Sequence, residues 1–232
     1  VVDKVPPVVA PADTGWKHHH RLVASKYPPV SLFEDYVDAE LLNAAFQIES
    51  RTNARLRAEA GDLSIVPRED YVLGAGASPV MAAFTHYGHP SRFTDGAFGV
   101  YYAARSRDTA VAEVRFHRTR FLKHTSEPSL QMTLRCYVGT IQKPLFDIRS
   151  DQKYAEYLNP DIDTYPHPQK FSAHLRSTKA WGLLYPSVRH AGGECVAFYR
   201  PPAVGIPAQG KHIIFYWNGE KISEVFEATE LI

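Results

Sequence analysis

Cysteine is nearly absent from this sequence: Cys136 and Cys195 stand alone and far apart. Two such residues build no disulfide framework and form no close pair of the zinc or redox kind, so both are expected as reduced residues buried on strands. A surplus of one charge is also missing. With 26 basic and 25 acidic side chains the net charge is +1, which supplies no general field for a phosphate backbone, and direct nucleic-acid binding is not expected. No apolar run approaches the roughly 20 residues that span a bilayer, and the first residues lack the basic, apolar and small-residue order of a signal peptide. No membrane association and a cytoplasmic location are therefore expected. Internal repeats and low-complexity tracts are lacking too. Gly74, Gly76 and Gly88 meet neither the Rossmann nor the P-loop spacing and read as turn glycines.

What is present suits one globular core. The chain has 232 residues, of which 44% are hydrophobic, with 13 Tyr and 12 Phe, so disorder throughout is excluded. Pro6, Pro7, Pro11, Pro28 and Pro29 make the opening segment extended, and it reads as a surface arm. Val37, Leu41, Ala45, Ile48 and Leu56 recur at helical spacing, which predicts an amphipathic helix over 37–60 that ends at Gly61. Residues 1–60 are thus expected as arm and helix, and 61–232 as a single domain. Within that domain a strand is expected at 97–104, followed by a helix at 108–122. A half-buried strand follows over 129–140, with Leu130, Met132, Leu134, Cys136 and Val138 on one face. A long loop over 151–168 leads to a helix at 169–180. Strands are expected at 183–188, 194–199 and 212–217, the last turning at Asn218-Gly219 into 221–226 as a hairpin. Strands dominate the second half without regular alternation with helices, so the fold class is α+β.

Three consecutive histidines, His18, His19 and His20, catch the eye, but neighbours in sequence do not readily direct three imidazoles at one ion, and no metal is expected. The unit from Arg92 to Ala104, running through Asp108 into a helix bearing Glu113, is different. It gathers Arg, Tyr and Glu in a short span, and strand alternation sends Tyr101 and Tyr102 to opposite faces, so only one of them shares a pocket with Arg92. By itself this unit reads equally as a solvated surface with packed tyrosines or as a site.

A second unit, Tyr185-Pro186-Ser187-Val188-Arg189 followed by Gly192-Gly193, alters that balance. Arg92, then Tyr102-Ala103-Ala104, then Thr109-Ala110-Val111-Ala112-Glu113, together with this second unit and in this order, resembles the RES domain family, toxins of toxin–antitoxin pairs. The longer N-terminus is similar to that of ParT-type members. The match spans about residues 85–200; the tyrosine is taken as Tyr102 from its distance to Glu113. The resemblance implies a RES catalytic domain with a fold similar to the ADP-ribosyltransferase toxins, a mixed or antiparallel split sheet flanked by helices, and NAD as substrate. It implies that Glu113 stabilises an oxocarbenium-like transition state, and that Arg92 grips the pyrophosphate. Tyr102 would stack on nicotinamide with its phenol free to hydrogen-bond, Ser187 would orient ribose or Glu113, and Arg189 would contact phosphate or lie on the surface. It further implies cleavage at the nicotinamide–ribose bond with transfer of ADP-ribose, to a protein such as phosphoribosyl pyrophosphate synthetase, or to water or phosphate in a glycohydrolase or phosphorylase. A cognate antitoxin with Xre-type and RES-binding regions is the implied partner.

Two readings compete with this one. A non-catalytic module would use the aromatic-rich cleft to hold a nucleotide or peptide. A ribonuclease would draw on His86, His117 or His124, because imidazole serves as acid and base near neutral pH.

Overall fold

The computed structural model describes residues 14–25, 33–34, 38–49, 60–150 and 152–229. Eight strands form one sheet, hydrogen-bonded without a break in the order β4-β5-β6-β2-β1-β3-β7-β8. They are β1 (His19–Ala24), β2 (Tyr101–Ala104), β3 (Leu130–Gly139), β4 (Phe146–Asp147), β5 (Gly182–Pro186), β6 (Glu194–Phe198), β7 (Ala208–Trp217) and β8 (Ile222–Glu227). Every neighbouring pair is antiparallel except β4 with β5. Helices α1 (Ala39–Glu49), α2 (Ser78–Thr85), α3 (Arg107–Leu122) and α4 (Pro166–Ser177) complete the α+β arrangement.

Strand alternation divides the core between two faces. Tyr102 and Ala104 pack with Leu22, Leu134, Tyr185 and Cys195 under Ala110 and Leu122 of α3 and Phe171 and Leu175 of α4. Tyr101 and Ala103 point the other way, with Val196 and Phe198, against Leu42 and Phe46 of α1 and Val80 and Met81 of α2. This period of two is what a sheet buried on both faces demands of its central strands. Truncating Phe198, whose ring sits 5.5 Å from His19 and 5.8 Å from Tyr101, would cost roughly 3–5 kcal/mol.

The expected helix at 108–122, the strand at 129–140 and the hairpin across Asn218-Gly219 are present as α3, β3 and β7–β8. Both cysteines are buried on strands, and Gly74, Gly76 and Gly88 all take positive φ. Other expectations need correction. The opening segment is not only a surface arm: residues 19–24 form β1, an interior strand between β2 and β3. Of the helix expected over 37–60, α1 covers Ala39–Glu49, and 50–59 lie outside the described residues, as do all five of the arm's prolines. The strand expected from 97 begins at Tyr101, because the Thr94 hydroxyl donates to Phe98 O and accepts from Gly96 N, tying 94–98 into a turn. Helix α4 begins at Pro166, where a fixed φ and a missing donor suit a first turn. No described helix is long and apolar enough to cross a membrane.

His19 illustrates what an interior position does to a titratable group. It is 0% exposed, and burial, reinforced by the Arg21 charge, holds its imidazole down to about 3. The unfolded chain binds that proton below about pH 6.5 and the folded chain does not, so stability is complete above 6.5 and falls as pH drops from there towards 3. Between pH 7 and pH 5 the expected loss from this group is about 2 kcal/mol. Urea unfolding midpoints at the two pH values should therefore lie far apart in the wild type and closer together in His19→Phe, which keeps the aromatic packing without this titration, the remaining separation coming from groups such as His117, which burial also holds down to about 4.

Candidate active site

Helix α3 starts where β2 ends, and Ser106 caps it by accepting a hydrogen bond from Thr109 N, satisfying one of the free amides of the first turn. Nearly two turns later Glu113 faces the sheet. The hydroxyl of Ser187, just past β5, donates to Glu113 Oε1 at 2.6 Å. Ser187 itself is fixed, because Arg189 N and His190 N both donate to its oxygen. The glycine pair has a physical reason. Gly192 takes a φ of +74°, and a Cβ on Gly193 would lie 2.7 Å from Thr109 Oγ1, so only glycine lets the first turn of α3 settle on this loop. His190 Nδ1 completes the junction with Thr109 Oγ1 at 2.9 Å.

Arg92 lies in a tight turn that α4 clamps: Gln169 Nε2 donates to Ser91 O and Ser172 Oγ to Phe93 O. The guanidinium is 7% exposed at the residue level. Its Nη1 donates to the carbonyls of Tyr157 and Asn159, and its carbon sits 4.8 Å from the Tyr165 ring centre. Nη2 is buried without a partner among the described residues. A buried, unpaired guanidinium donor is costly unless something else accepts from it.

Arg92, Tyr102 and Glu113 line one cavity of about 400 Å³, within the range of small-molecule sites. Its floor is a single cross-strand row: Tyr185, Cys195, Ala104 and His20 are successive Cα partners on β5, β6, β2 and β1. Its roof is α3, through Ala110, Glu113, Val114, His117, Arg118 and Phe121. Tyr102, not Tyr101, faces this space. Its phenol is not free, however, since it pairs with Ser91 Oγ at 2.7 Å and accepts from Phe93 N at 3.0 Å. A buried hydroxyl has to find such partners, and burial pushes its pKa up to about 12.

Ser187 reaches the cavity through Glu113. Arg189 lies outside its lining: the guanidinium stacks 3.4 Å from the Phe116 ring centre and donates to Pro160 O, beside a separate groove on the other side of α3. Of His86, His117 and His124, only His117 lines the cavity. His19 and His20 occupy opposite faces of β1, the first among Tyr101 and Phe198, the second on the cavity floor. The site also contains residues the sequence reading did not nominate. Tyr185 was legible, because it lies two positions before Ser187 and so shares its strand face. Ser91, His20 and Cys195 come in only through pairing and turn geometry.

Cys195 is the one thiol in the cavity and its Sγ lies 3.7 Å from Glu113 Oε1. Burial, then the Glu113 charge, drive its pKa far above the ordinary thiol range, which leaves a neutral donor to the carboxylate rather than a nucleophilic thiolate. Cys136 is likewise raised by burial. Iodoacetamide at pH 8 should therefore leave both cysteines of the folded protein unmodified while alkylating both in urea, as read by intact mass.

The family model described as RES domain matches residues 66–218. An uncharacterized protein of Sinorhizobium fredii, y4oC, is 28% identical over 211 residues, covering 89% of this chain and 86% of the relative. Among solved structures, a chain of the M. tuberculosis MbcT–MbcA toxin–antitoxin complex aligns with a TM-score of 0.35 and 16% identity, over 53% of this chain and 69% of that one. With its capped helix, Ser187 turn and clamped arginine inside a match of that length, the chain belongs to the RES domain family.

Proposed function

We propose that this protein consumes NAD, cleaving the bond between nicotinamide and ribose, and that it acts as the toxin of a toxin–antitoxin pair. The observation that carries the chemistry is complementary incompleteness across one cavity. Arg92 Nη2 is a buried cationic donor without an acceptor, and Glu113 offers Oε2, for which the described residues provide no hydrogen-bond donor, while Ser187 occupies Oε1. A dinucleotide supplies what both lack: phosphate oxygens for the guanidinium and ribose hydroxyls for the carboxylate.

Each residue then has a task. The Glu113 carboxylate, fixed by Ser187, sits where positive charge develops on the ribose as the glycosidic bond breaks, and a preoriented anion stabilises that charge without reorganising. Arg92, held by carbonyls instead of carboxylates, keeps its full charge for phosphate. Tyr102 and Tyr185 supply aromatic walls that exclude water from the nicotinamide end. Ser187 is a positioning residue. Arg189 stands beyond the cavity wall, and its role is assigned to the edge of the phosphate field. ADP-ribose passes to an acceptor that enters on the face nicotinamide leaves: a protein such as phosphoribosyl pyrophosphate synthetase, water or phosphate. A cognate antitoxin with a RES-binding region would silence the site by covering the cavity, and an Xre-type region of that partner would carry any DNA contact.

The test is nicotinamide release from NAD by the purified protein, with phosphate and the synthetase supplied. Arg92→Ala and Glu113→Gln should each lower the rate by about 100-fold or more with unchanged circular dichroism. Release that persists in both variants removes this assignment, and no release by the wild type favours the binding-module reading. With labelled NAD, label on the synthetase, free ADP-ribose or a phosphorylated ADP-ribose identifies the acceptor. Co-expression with a cognate antitoxin should restore growth and copurify the two chains; failure of both would remove the toxin reading.

A further inference from the structure

The cavity is longer than the bond-breaking end requires. Its floor row crosses four neighbouring strands from Tyr185 to His20, about 14 Å at the usual strand spacing. Overhead, Glu113, His117 and Phe121 recur every four residues along one face of α3, which places Phe121 about 12 Å from Glu113 along the helix axis. At that far end Phe121 is 62% exposed although its side chain belongs to the cavity wall. His117 and Arg118 line the stretch between, and no carboxylate of the described residues pairs with Arg118.

An apolar ring left in water at the mouth of a cavity gains by stacking on a flat partner, and a guanidinium beside it gains by meeting an anion. The order along α3 is therefore carboxylate, cation, aromatic face. An extended dinucleotide presents the same sequence: a ribose, phosphates, and a second base beyond them.

We infer that Phe121, Arg118 and His117 form the subsite for the adenosine half of an adenine dinucleotide, with adenine stacked on Phe121 and the adjoining phosphate beside Arg118. This rests on the dinucleotide reading of the cavity and adds the residues that distinguish NAD from nicotinamide mononucleotide. Because Phe121 is exposed, its replacement leaves the core intact, and the subsite is open to direct measurement.

Calorimetric titration of the full chain with AMP, and separately with nicotinamide mononucleotide, tests the assignment without relying on turnover. Phe121→Ala should weaken AMP binding about tenfold or more, as loss of one base–aromatic stack does, and Phe121→Trp should retain it. Affinity for nicotinamide mononucleotide should stay within twofold of wild type in both. In steady-state assays Phe121→Ala should raise KM for NAD far more than it lowers kcat. Wild type that does not bind AMP, or Phe121→Ala that binds it as well as wild type, overturns the subsite even where NAD is cleaved. Loss of antitoxin copurification in Phe121→Ala with AMP affinity unchanged would overturn it in favour of a protein-docking residue. AMP binding that depends on Phe121 in a protein with no NAD turnover would leave the subsite standing and remove the enzymatic reading.

Discussion

The hydrogen bond from Ser187 to Glu113 joins two segments separated by 74 positions in the chain, and the rest of the site depends on that join. α3 is also tied to the sheet side by Thr109 with His190, Arg115 with Ile222 O and Arg107 with Glu227, but none of these holds the Glu113 side chain. With the Ser187 bond, the carboxylate is locked over the row of Tyr185, Cys195 and Ala104, and every other lining residue of α3 takes its place from the helical repeat. The Ser187 oxygen accepts from two backbone amides, so its single proton is directed at Glu113.

A second constraint concerns where positive charge is allowed to remain. Arg149 and Arg200 are paired with carboxylates, Asp147 and Asp70 respectively, and their charge is spent inside the fold. Arg92, Arg189 and Arg115 are instead held by backbone carbonyls of Tyr157, Asn159, Pro160 and Ile222. A carbonyl satisfies a donor without neutralising the ion, so these side chains are positioned yet still attract an anion. Two carbonyls of the 157–160 loop hold Arg92 and a third holds Arg189, which makes this loop, rather than any acidic residue, the element that places cations on either side of α3. A chain whose net charge is close to zero thereby keeps unneutralised cations on both sides of α3.

Much of the architecture was legible in the periodicity of the chain. The face of β3 carrying Met132, Leu134 and Cys136, the capped helix after Ser106 and the Asn218-Gly219 hairpin are local patterns with local causes. Arg92, Tyr102, Glu113 and Ser187 were singled out by a resemblance to one family motif, and the fold brings the first three to one cavity with Ser187 bonded to Glu113. β1 was hidden because HHRLVA has no clear apolar alternation and lies among prolines; it becomes a strand only by receiving hydrogen bonds from β2 and β3 on both sides. β4 is two residues long and exists only as a partner of β5. The engaged phenol of Tyr102 was equally out of reach, since its partners Ser91 and Phe93 are brought to it by α4.

The sequence by itself determined the elements whose stability is local, together with the residue types available for chemistry, since capping, turn preference and hydrophobic period act over a few residues. It also determined that Tyr101 and Tyr102 part company, because a strand has two faces. Which of them meets Glu113, which histidine of the run lines the floor, and which arginines keep an unpaired buried donor were decided only by the tertiary structure. Those outcomes depend on the strand order and on the docking of α3 and α4, pairings made between segments far apart in the chain, for which no local pattern carries the energy.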